Sequence, residues 1–342
     1  MRQKSVLIWL LFCSVFSWQL KAQDLHFSQF FHSPLTTNPA NTGFLPQSDF
    51  RVGAHYRSQW TSIPVPYKTV SIYGDAQVFR ERFETGWVGL GGVILSDAAG
   101  SGGLRSNKVY VSAAYHQMLG NTGLLSAGFN IGAANKYVTV NKFTFDNQWN
   151  GKFFESGIPS GEIFNTNNIV YFDMQAGLNY AWFPSDDIYM HAGVSAQHLN
   201  KPKETFFLSS PNYDNTLSPR YIAFADAMVK LNDQWIISPS AYFSTQAKAT
   251  EFSIGMHANY NISGDGDQQL LGGLYYRGGD AVIPMIGYQW KQFKFMFSYD
   301  ATMSSLRNYN SGYGATELYM EYQGFYNQFN GDVRQTLCPT FK

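Results

Sequence analysis

The chain has 342 residues, with 24 lysines and arginines against 24 aspartates and glutamates; only 14% of residues are charged and 17% are aromatic. Soluble domains usually carry about a quarter charged residues, so the composition does not suit an ordinary soluble enzyme, and the balanced charge excludes the basic footprint that nucleic-acid binding needs. A mean hydropathy of −0.23, with polar interruptions throughout the chain after its first residues, excludes helical membrane spans.

The chain opens with Met1-Arg2-Gln3-Lys4, continues through an apolar stretch over 5–18 and reaches Leu20-Lys21-Ala22. A basic start, a short apolar middle and a small residue at the exit predict a secretory signal over 1–22, cleaved before Gln23. The apolar stretch is shorter than the roughly 20 residues of a spanning helix, and Phe12 ahead of Cys13 does not suit lipoprotein processing. Removing Arg2, Lys4 and Lys21 leaves 21 basic residues against 24 acidic ones, a net charge of −3. Cys338 is then the remaining cysteine, so an internal disulfide is not expected; it is either an incidental thiol or an intermolecular attachment. Residues 23–48 hold prolines and aromatics without strand periodicity. They either plug a lumen or reach a periplasmic partner, and Phe27, Phe30 and Phe31 favour contact with the inner or periplasmic side of a barrel, away from water.

From residue 49 the pattern changes to alternation. Phe252, Ile254, Met256, Ala258, Tyr260 and Ile262 fall on one side, and Glu251, Ser253, Gly255, His257 and Asn259 on the other. Phe172, Met174, Ala176, Leu178, Tyr180 and Trp182 likewise oppose Tyr171, Asp173, Gln175, Gly177 and Asn179. One apolar and one polar face along each strand is the signature of a transmembrane barrel, lipid outside and lumen inside. Strands are predicted near 49–60, 67–79, 85–96, 108–118, 124–137, 170–183, 188–199, 220–231, 235–245, 250–262, 270–278, 281–290, 293–301 and 315–325. They make an antiparallel barrel of about 14 strands over 49–325, an even number as in closed bacterial barrels, followed by a periplasmic tail over 326–342.

The connections test this independently. With Gln23 starting in the periplasm, every second connection should be a short periplasmic turn; 80–84, 119–123, 184–187, 232–234, 263–269 and 291–292 are all compact. The longer connections 97–107, 138–169, 200–219 and 302–314 fall on the opposite, extracellular side, with 246–249 and 279–280 as short exceptions. Trp87, Trp182, Trp235 and Trp290 sit at the predicted periplasmic strand ends, where an indole suits the headgroup level. A soluble exported β-sandwich is the competing fold, in which those tryptophans would be core.

Specific residues carry a family resemblance. Phe27-Ser28-Gln29-Phe30, Pro34-Leu35 and Asn38-Pro39-Ala40-Asn41-Thr42-Gly43, followed by Tyr56-Arg57-Ser58-Gln59-Trp60, resemble the opening of the PorP/SprF family of type IX secretion system membrane proteins. Tyr275-Tyr276-Arg277, Phe297-Ser298-Tyr299-Asp300, Glu317 and Cys338-Pro339 extend the likeness along the chain, although Asn41 stands where the family commonly has an aromatic. The resemblance implies an outer-membrane barrel of Bacteroidota beside the type IX secretion or gliding machinery, or a partner for particular secreted adhesins. Such a role needs a rigid scaffold with docking surfaces and no catalytic group. On the outside, 138–169 carries Phe143, Phe145, Trp149, Phe153, Phe154 and Phe164, an aromatic set suited to protein contact or to a lid over the mouth. A passive porin is the alternative function.

Chemistry is sparse. His116, His191, His198 and His257 lie on predicted strands, and lumenal polarity explains them better than a nucleophile–base pair. Asp173, Glu251, Glu317 and Glu321 with Arg277 could brace the lumen as ion pairs. Asp265-Gly266-Asp267 lacks the ligand number of a calcium site and suits a hairpin. With no zinc spacing, phosphate loop or dinucleotide fingerprint, neither a cofactor nor an enzymatic activity is expected, and the glycines are attributed to tight turns and close strand packing.

Overall fold

The computed structural model describes residues 25–46, 48–62, 66–100, 103–140, 143–155, 157–162, 166–206 and 215–326. The predicted signal over 1–22, Gln23, Phe164 and the tail with Cys338 lie outside the described residues. Fourteen strands follow in chain order: β1 (Phe50–Gln59), β2 (Tyr67–Val78), β3 (Gly86–Ala99), β4 (Leu104–Leu119), β5 (Gly123–Tyr137), β6 (Asn168–Ser185), β7 (Ile188–Gln197), β8 (Arg220–Lys230), β9 (Trp235–Gln246), β10 (Ala249–Asn261), β11 (Gln268–Arg277), β12 (Ala281–Trp290), β13 (Phe293–Thr302) and β14 (Tyr313–Gly324). Each pairs antiparallel with its sequence neighbour, and β1 closes on β14 from Phe50↔Gly324 to Gln59↔Ala315. Closure leaves no free sheet edge to be satisfied in hydrocarbon.

The alternation in sequence becomes two surfaces. On β10, Ile254 is 54% exposed on the outside while Ser253 is 5% exposed on the inside. Val111, Leu178, Phe252, Leu274, Ile286 and Leu318 are likewise exposed on the outer face. The inner face is the core of this molecule, and it is largely polar: Ser71, Ser112, Ser126, Asn130, Asp173, Ser298 and Glu317 are completely buried there.

Connections at the end where β1 begins and β14 ends are short, with two residues (186–187) between β6 and β7 and two (291–292) between β12 and β13. The long connections, 138–167 and 198–219, lie at the other end. The expected long loop at 97–107 is instead mostly strand, because its polar side chains pair across the ladder: Ser96 Oγ donates to Asn107 Oδ1 at 2.8 Å, and the two residues are register partners. The walls also differ in height. β3 to β6 have 14 to 18 residues and β11 to β13 have 10 each, so the rim stands highest where the 138–167 loop rises. Residues 168–175 of β6 run past its last pair with β7, Ala176↔Ala196. The loop after β7 caps that edge, with Leu199 N donating to Met174 O at 3.0 Å and Asn200 Nδ2 to Phe172 O at 2.6 Å.

Trp182, Trp235 and Trp290 are exposed near the short-turn rim, as an interfacial belt requires. Trp87 is not among them. Its indole is 1% exposed, points into the lumen, donates from Nε1 to Gly43 O at 2.9 Å and stacks on His116 at 4.9 Å. The alternation decides this: Trp87 shares parity with the inward Val93 and Leu95.

A plug clasped by the barrel wall

Residues 25–46 run through the barrel. The segment is made of short turns, a 3-10 turn at Phe30–His32, the single helical turn α1 (Pro34–Thr37) and a 3-10 turn at Pro39–Asn41. Prolines at 34 and 39 start two of these turns, since they supply a fixed φ where the missing N–H would be unpaired anyway. The remaining backbone groups must bond the wall, because a buried peptide group without a partner costs about 1–3 kcal/mol.

They do so around the circumference. Gln77 Nε2 donates to Leu45 O (2.6 Å), Asn130 Nδ2 to Leu35 O (3.2 Å), Asn179 Nδ2 to Ala40 O (3.0 Å), Ser195 Oγ to Thr37 O (2.7 Å) and Gln197 Nε2 to Thr36 O (2.7 Å). His116 Nε2 lies 2.8 Å from Thr42 O. Tyr242 of β9, His257 of β10 and Tyr275 of β11 meet Phe30 and Phe31 ring to ring, while Ile283 and Met285 of β12 join Phe27, Phe30 and Leu35 in one apolar cluster.

The direction of the plug was not expected. Leu25 O accepts from Arg220 at the long-loop end of β8, and His26 faces Glu251 near the same end of β10. Gly43 meets Asp75 and Trp87, and Phe44 stacks on His191, all near the short-turn end. The described chain therefore begins in the outer half of the lumen and descends to enter β1. The parity of the connections is set by where β1 starts, and a periplasmic Gln23 is not needed for it.

Asn38-Pro39-Ala40-Asn41-Thr42-Gly43 lies in a groove of inward-facing glycines. A Cβ on Gly89 would come within 1.9 Å of Thr42 O, one on Gly128 within 2.4 Å of the Pro39 carbonyl, and one on Gly177 within 1.9 Å of Asn38 Oδ1. Gly43 itself has φ +65°, and its Cα is so close to Gly89 that both positions require glycine. Asn38 locks the groove. Its Oδ1 accepts from Ala40 N (2.9 Å), and its Nδ2 donates to Leu178 O (3.0 Å) and Val194 O (3.1 Å). Asn41 accepts from Asn179 Nδ2 at 2.7 Å and so is part of the clasp.

Higher in the lumen the resemblance residues from three distant stretches converge on Ser28. Its N–H donates to Glu317 Oε1 (2.7 Å), and the Gln29 N–H to Glu317 Oε2 (3.0 Å). Ser28 Oγ donates to Asp300 (2.8 Å) and accepts from Arg57 Nη1 (2.7 Å) and Arg277 Nη1 (2.9 Å). Arg57 pairs with both Glu317 and Asp300, and Arg277 with Asp300 at 2.7 Å. Gln29 Nε2 donates to Ser298 Oγ at 2.9 Å. All of these side chains are buried. Two guanidinium groups and two carboxylates balance each other, and the plug's backbone supplies the extra donors that a buried carboxylate needs. Beside this cluster Phe27 stacks on His55 at 4.6 Å, and His32 on Tyr319 at 4.2 Å.

The residues singled out in the sequence thus divide by face. Phe27, Ser28, Gln29, Asn38, Pro39, Ala40, Arg57, Asp300 and Glu317 meet at the plug. Tyr56 and Tyr299 have the opposite parity on β1 and β13, and Gln59 and Trp60 stand at the outer end of β1, where Trp60 packs edge-on against Tyr67 at 5.1 Å. The expected lumenal ion pairs exist with different partners: Arg57, rather than Arg277, takes Glu317, Asp173 bonds His198 at 3.0 Å, and Arg51 bonds Asp75 at 2.8 Å. Asp75 and the glycine groove escaped sequence reading; the available signal was glycine recurring at inward parity on β3, β5 and β6. His198 lies just past β7, with φ 57°.

In the outer loop Phe143 and Phe145 pack together, whereas Trp149, Phe153 and Phe154 are 49%, 59% and 48% exposed. Asp265 sits in the β10–β11 turn, where Ser263 Oγ and the Asp267 N–H donate to it and hold its carboxyl below the usual range. Among the described residues no group of three or more His, Cys, Asp or Glu is placed to hold a metal ion.

Comparison with solved structures finds barrels of the same kind. The P. putida toluene transporter TodX aligns with a TM-score of 0.53 and 10% identity over 87% of this chain and 95% of that one. The Ralstonia pickettii toluene transporter TbuX gives 0.51 and 11% over 86% and 94%, and a FadL homologue of Pseudomonas aeruginosa 0.51 and 9% over 85% and 94%. At such identities the likeness is one of fold, here the outer-membrane β-barrel. Comparison with curated protein sequences finds no match. The family model described as type IX secretion system membrane protein PorP/SprF matches residues 19–322, nearly the whole barrel and its plug. The chain belongs to the PorP/SprF family of type IX secretion system membrane proteins.

Proposed function

We propose that this barrel is a non-enzymatic docking scaffold of the secretion machinery, closed by its own plug, which receives or retains adhesin-type cargo at its outer rim. The observation that carries the reading is the plug: a lumen crossed by residues 25–46 and bonded to the wall around its circumference suits a rigid support better than a conduit. The exposed Trp149, Phe153 and Phe154 on the high side of the rim support it further, because aromatic anchors dominate protein interfaces.

The test is crosslinked capture from native membranes together with deletion of the gene. Recovery of secretion components or a surface adhesin, with loss of that adhesin's display on deletion, is the expected result. Unchanged display of every type IX substrate in the deletion strain would reject the reading. A passive porin remains the second reading, favoured only by the barrel itself; a large steady current through the wild-type protein in planar bilayers would support it.

A further inference from the structure

The outward face of a membrane barrel excludes charge from the bilayer midplane, where it is destabilising, and tolerates it near the interface. Among the described strand residues, Lys68 of β2 and Arg105 of β4 are the charged residues at outward parity; every other strand Lys, Arg, Asp or Glu has inward parity. The two are not scattered. Ala98 of β3 is the register partner of both, so they stand two strand spacings apart, about 10 Å, on one wall. Both are exposed, and neither makes a hydrogen bond or ion pair among the described residues. Asp97, beside Ala98 in sequence, faces the lumen, where it accepts from Thr69 Oγ1 at 2.6 Å.

Each cation caps the outer end of an apolar strip. Val70 and Ile72 follow Lys68 at the same parity on β2, and Val109 and Val111 follow Arg105 and Asn107 on β4; all four apolar side chains are exposed. β4 has 16 residues, against the roughly 9–11 that a tilted strand needs to cross the hydrocarbon, so Arg105, its second residue, stands above the apolar region at headgroup level. Polar side chains of the same parity surround it. Ser96 Oγ donates to Asn107 Oδ1 at 2.8 Å, and Asn135 Nδ2 to Asn168 Oδ1 at 2.6 Å. The amide N–H groups of Asn107 and Asn168 have no acceptor among the described residues. This part of the wall therefore presents two cations and spare amide donors over an apolar strip. Such a surface calls for a ligand rich in acceptors, with anionic oxygens at the cations, where the bonds are charge-assisted.

We propose that the outer wall of β2 to β6 binds a phosphorylated glycolipid of the outer leaflet, with phosphate at Lys68 and Arg105, sugar hydroxyls at Asn107 and Asn168, and acyl chains along Ile94, Val109 and Val111. A zwitterionic phospholipid would meet the apolar strip alone. An anionic glycerophospholipid would meet the cations and leave the amides unused. A glycolipid seated here packs against the tall wall directly below the 138–167 loop.

The probe is bisphosphorylated lipid A, titrated into the delipidated full-length mature protein in neutral detergent and counted by native mass spectrometry. Its fully dephosphorylated form, phosphatidylglycerol and inorganic phosphate are the comparison ligands. The expected result is saturable binding of lipid A, about tenfold or more tighter than that of the dephosphorylated form or phosphatidylglycerol, as loss of charge-assisted hydrogen bonds implies, with no displacement by millimolar inorganic phosphate. The double variant Lys68→Gln, Arg105→Gln should weaken lipid A by about tenfold or more, whereas Lys291→Gln, in a turn at the opposite rim, should leave it unchanged. Because Lys68 and Arg105 are exposed and unbonded, the double variant should keep its folded gel band, so a change in binding reads the site itself. Absence of saturable lipid A binding, equal binding of the dephosphorylated form or of phosphatidylglycerol, displacement by inorganic phosphate, or unchanged affinity in the double variant would each overturn the proposal.

Discussion

The lower part of the plug, residues 38–43, and its upper part, residues 25–31, are one continuous segment that the barrel holds by two different means. The lower part is held by shape: its backbone lies against Gly89, Gly128 and Gly177 with no room for a Cβ, and polar contacts such as those of Asn38 refine the fit. The upper part is held by charge and aromatic contact, through the Arg57, Arg277, Asp300 and Glu317 cluster and the rings around Phe27 and Phe30. The difference teaches that the two ends should fail differently. Overpacking the groove excludes the plug sterically, whereas removing one charge leaves others uncompensated in the lumen.

The largest effect is expected at the upper end. Arg57→Ala would leave Glu317 and Asp300 short of a buried partner and should cost about 3–5 kcal/mol, seen as a lower temperature for converting the folded gel band to the unfolded one. A smaller cost than that of groove variants would break the contrast drawn here. Next comes Gly89→Val, whose side chain would overlap the Thr42 carbonyl; the expected destabilisation is about 1–3 kcal/mol, together with a new steady conductance in planar bilayers as the plug is displaced. A silent trace would show that the lower plug yields locally instead.

Asn38→Ala keeps the groove's shape and deletes the side-chain bonds to Leu178 O and Val194 O. It should cost about 1–3 kcal/mol, chiefly for the buried Ala40 N–H that loses Asn38 Oδ1 as its acceptor, without opening a current, which separates shape from hydrogen bonding at one end. At the small extreme, the pair Phe153→Ala and Phe154→Ala touches neither end of the plug. It should change stability by less than about 0.5 kcal/mol and yet reduce crosslinked capture of the partner; undiminished capture would move the docking surface away from this loop.

Much of the wall was legible because strand parity is a local property. Two residues two apart share a face whatever the rest of the chain does, so Phe252, Ile254 and Met256 identify the lipid side from sequence alone. The same parity, applied to Trp87, also foretells its inward position, which its place at a strand end obscured. The loop at 97–107 was misread because Ser96 and Asn107 are polar, and only their pairing across the ladder makes them strand.

For this protein, the pattern of residues by itself determined the barrel, its strand order and the end bearing the long loops, since alternation and turn chemistry act over a few residues. What the tertiary structure alone decided is the plug: its descent from the outer half, the glycine groove that receives Asn38 to Gly43, and the meeting of Ser28, Arg57, Asp300 and Glu317. Those contacts join residues separated by up to 289 positions. No local rule links them, because barrel closure brings β1 beside β14 and only a closed wall offers the plug a surface on every side.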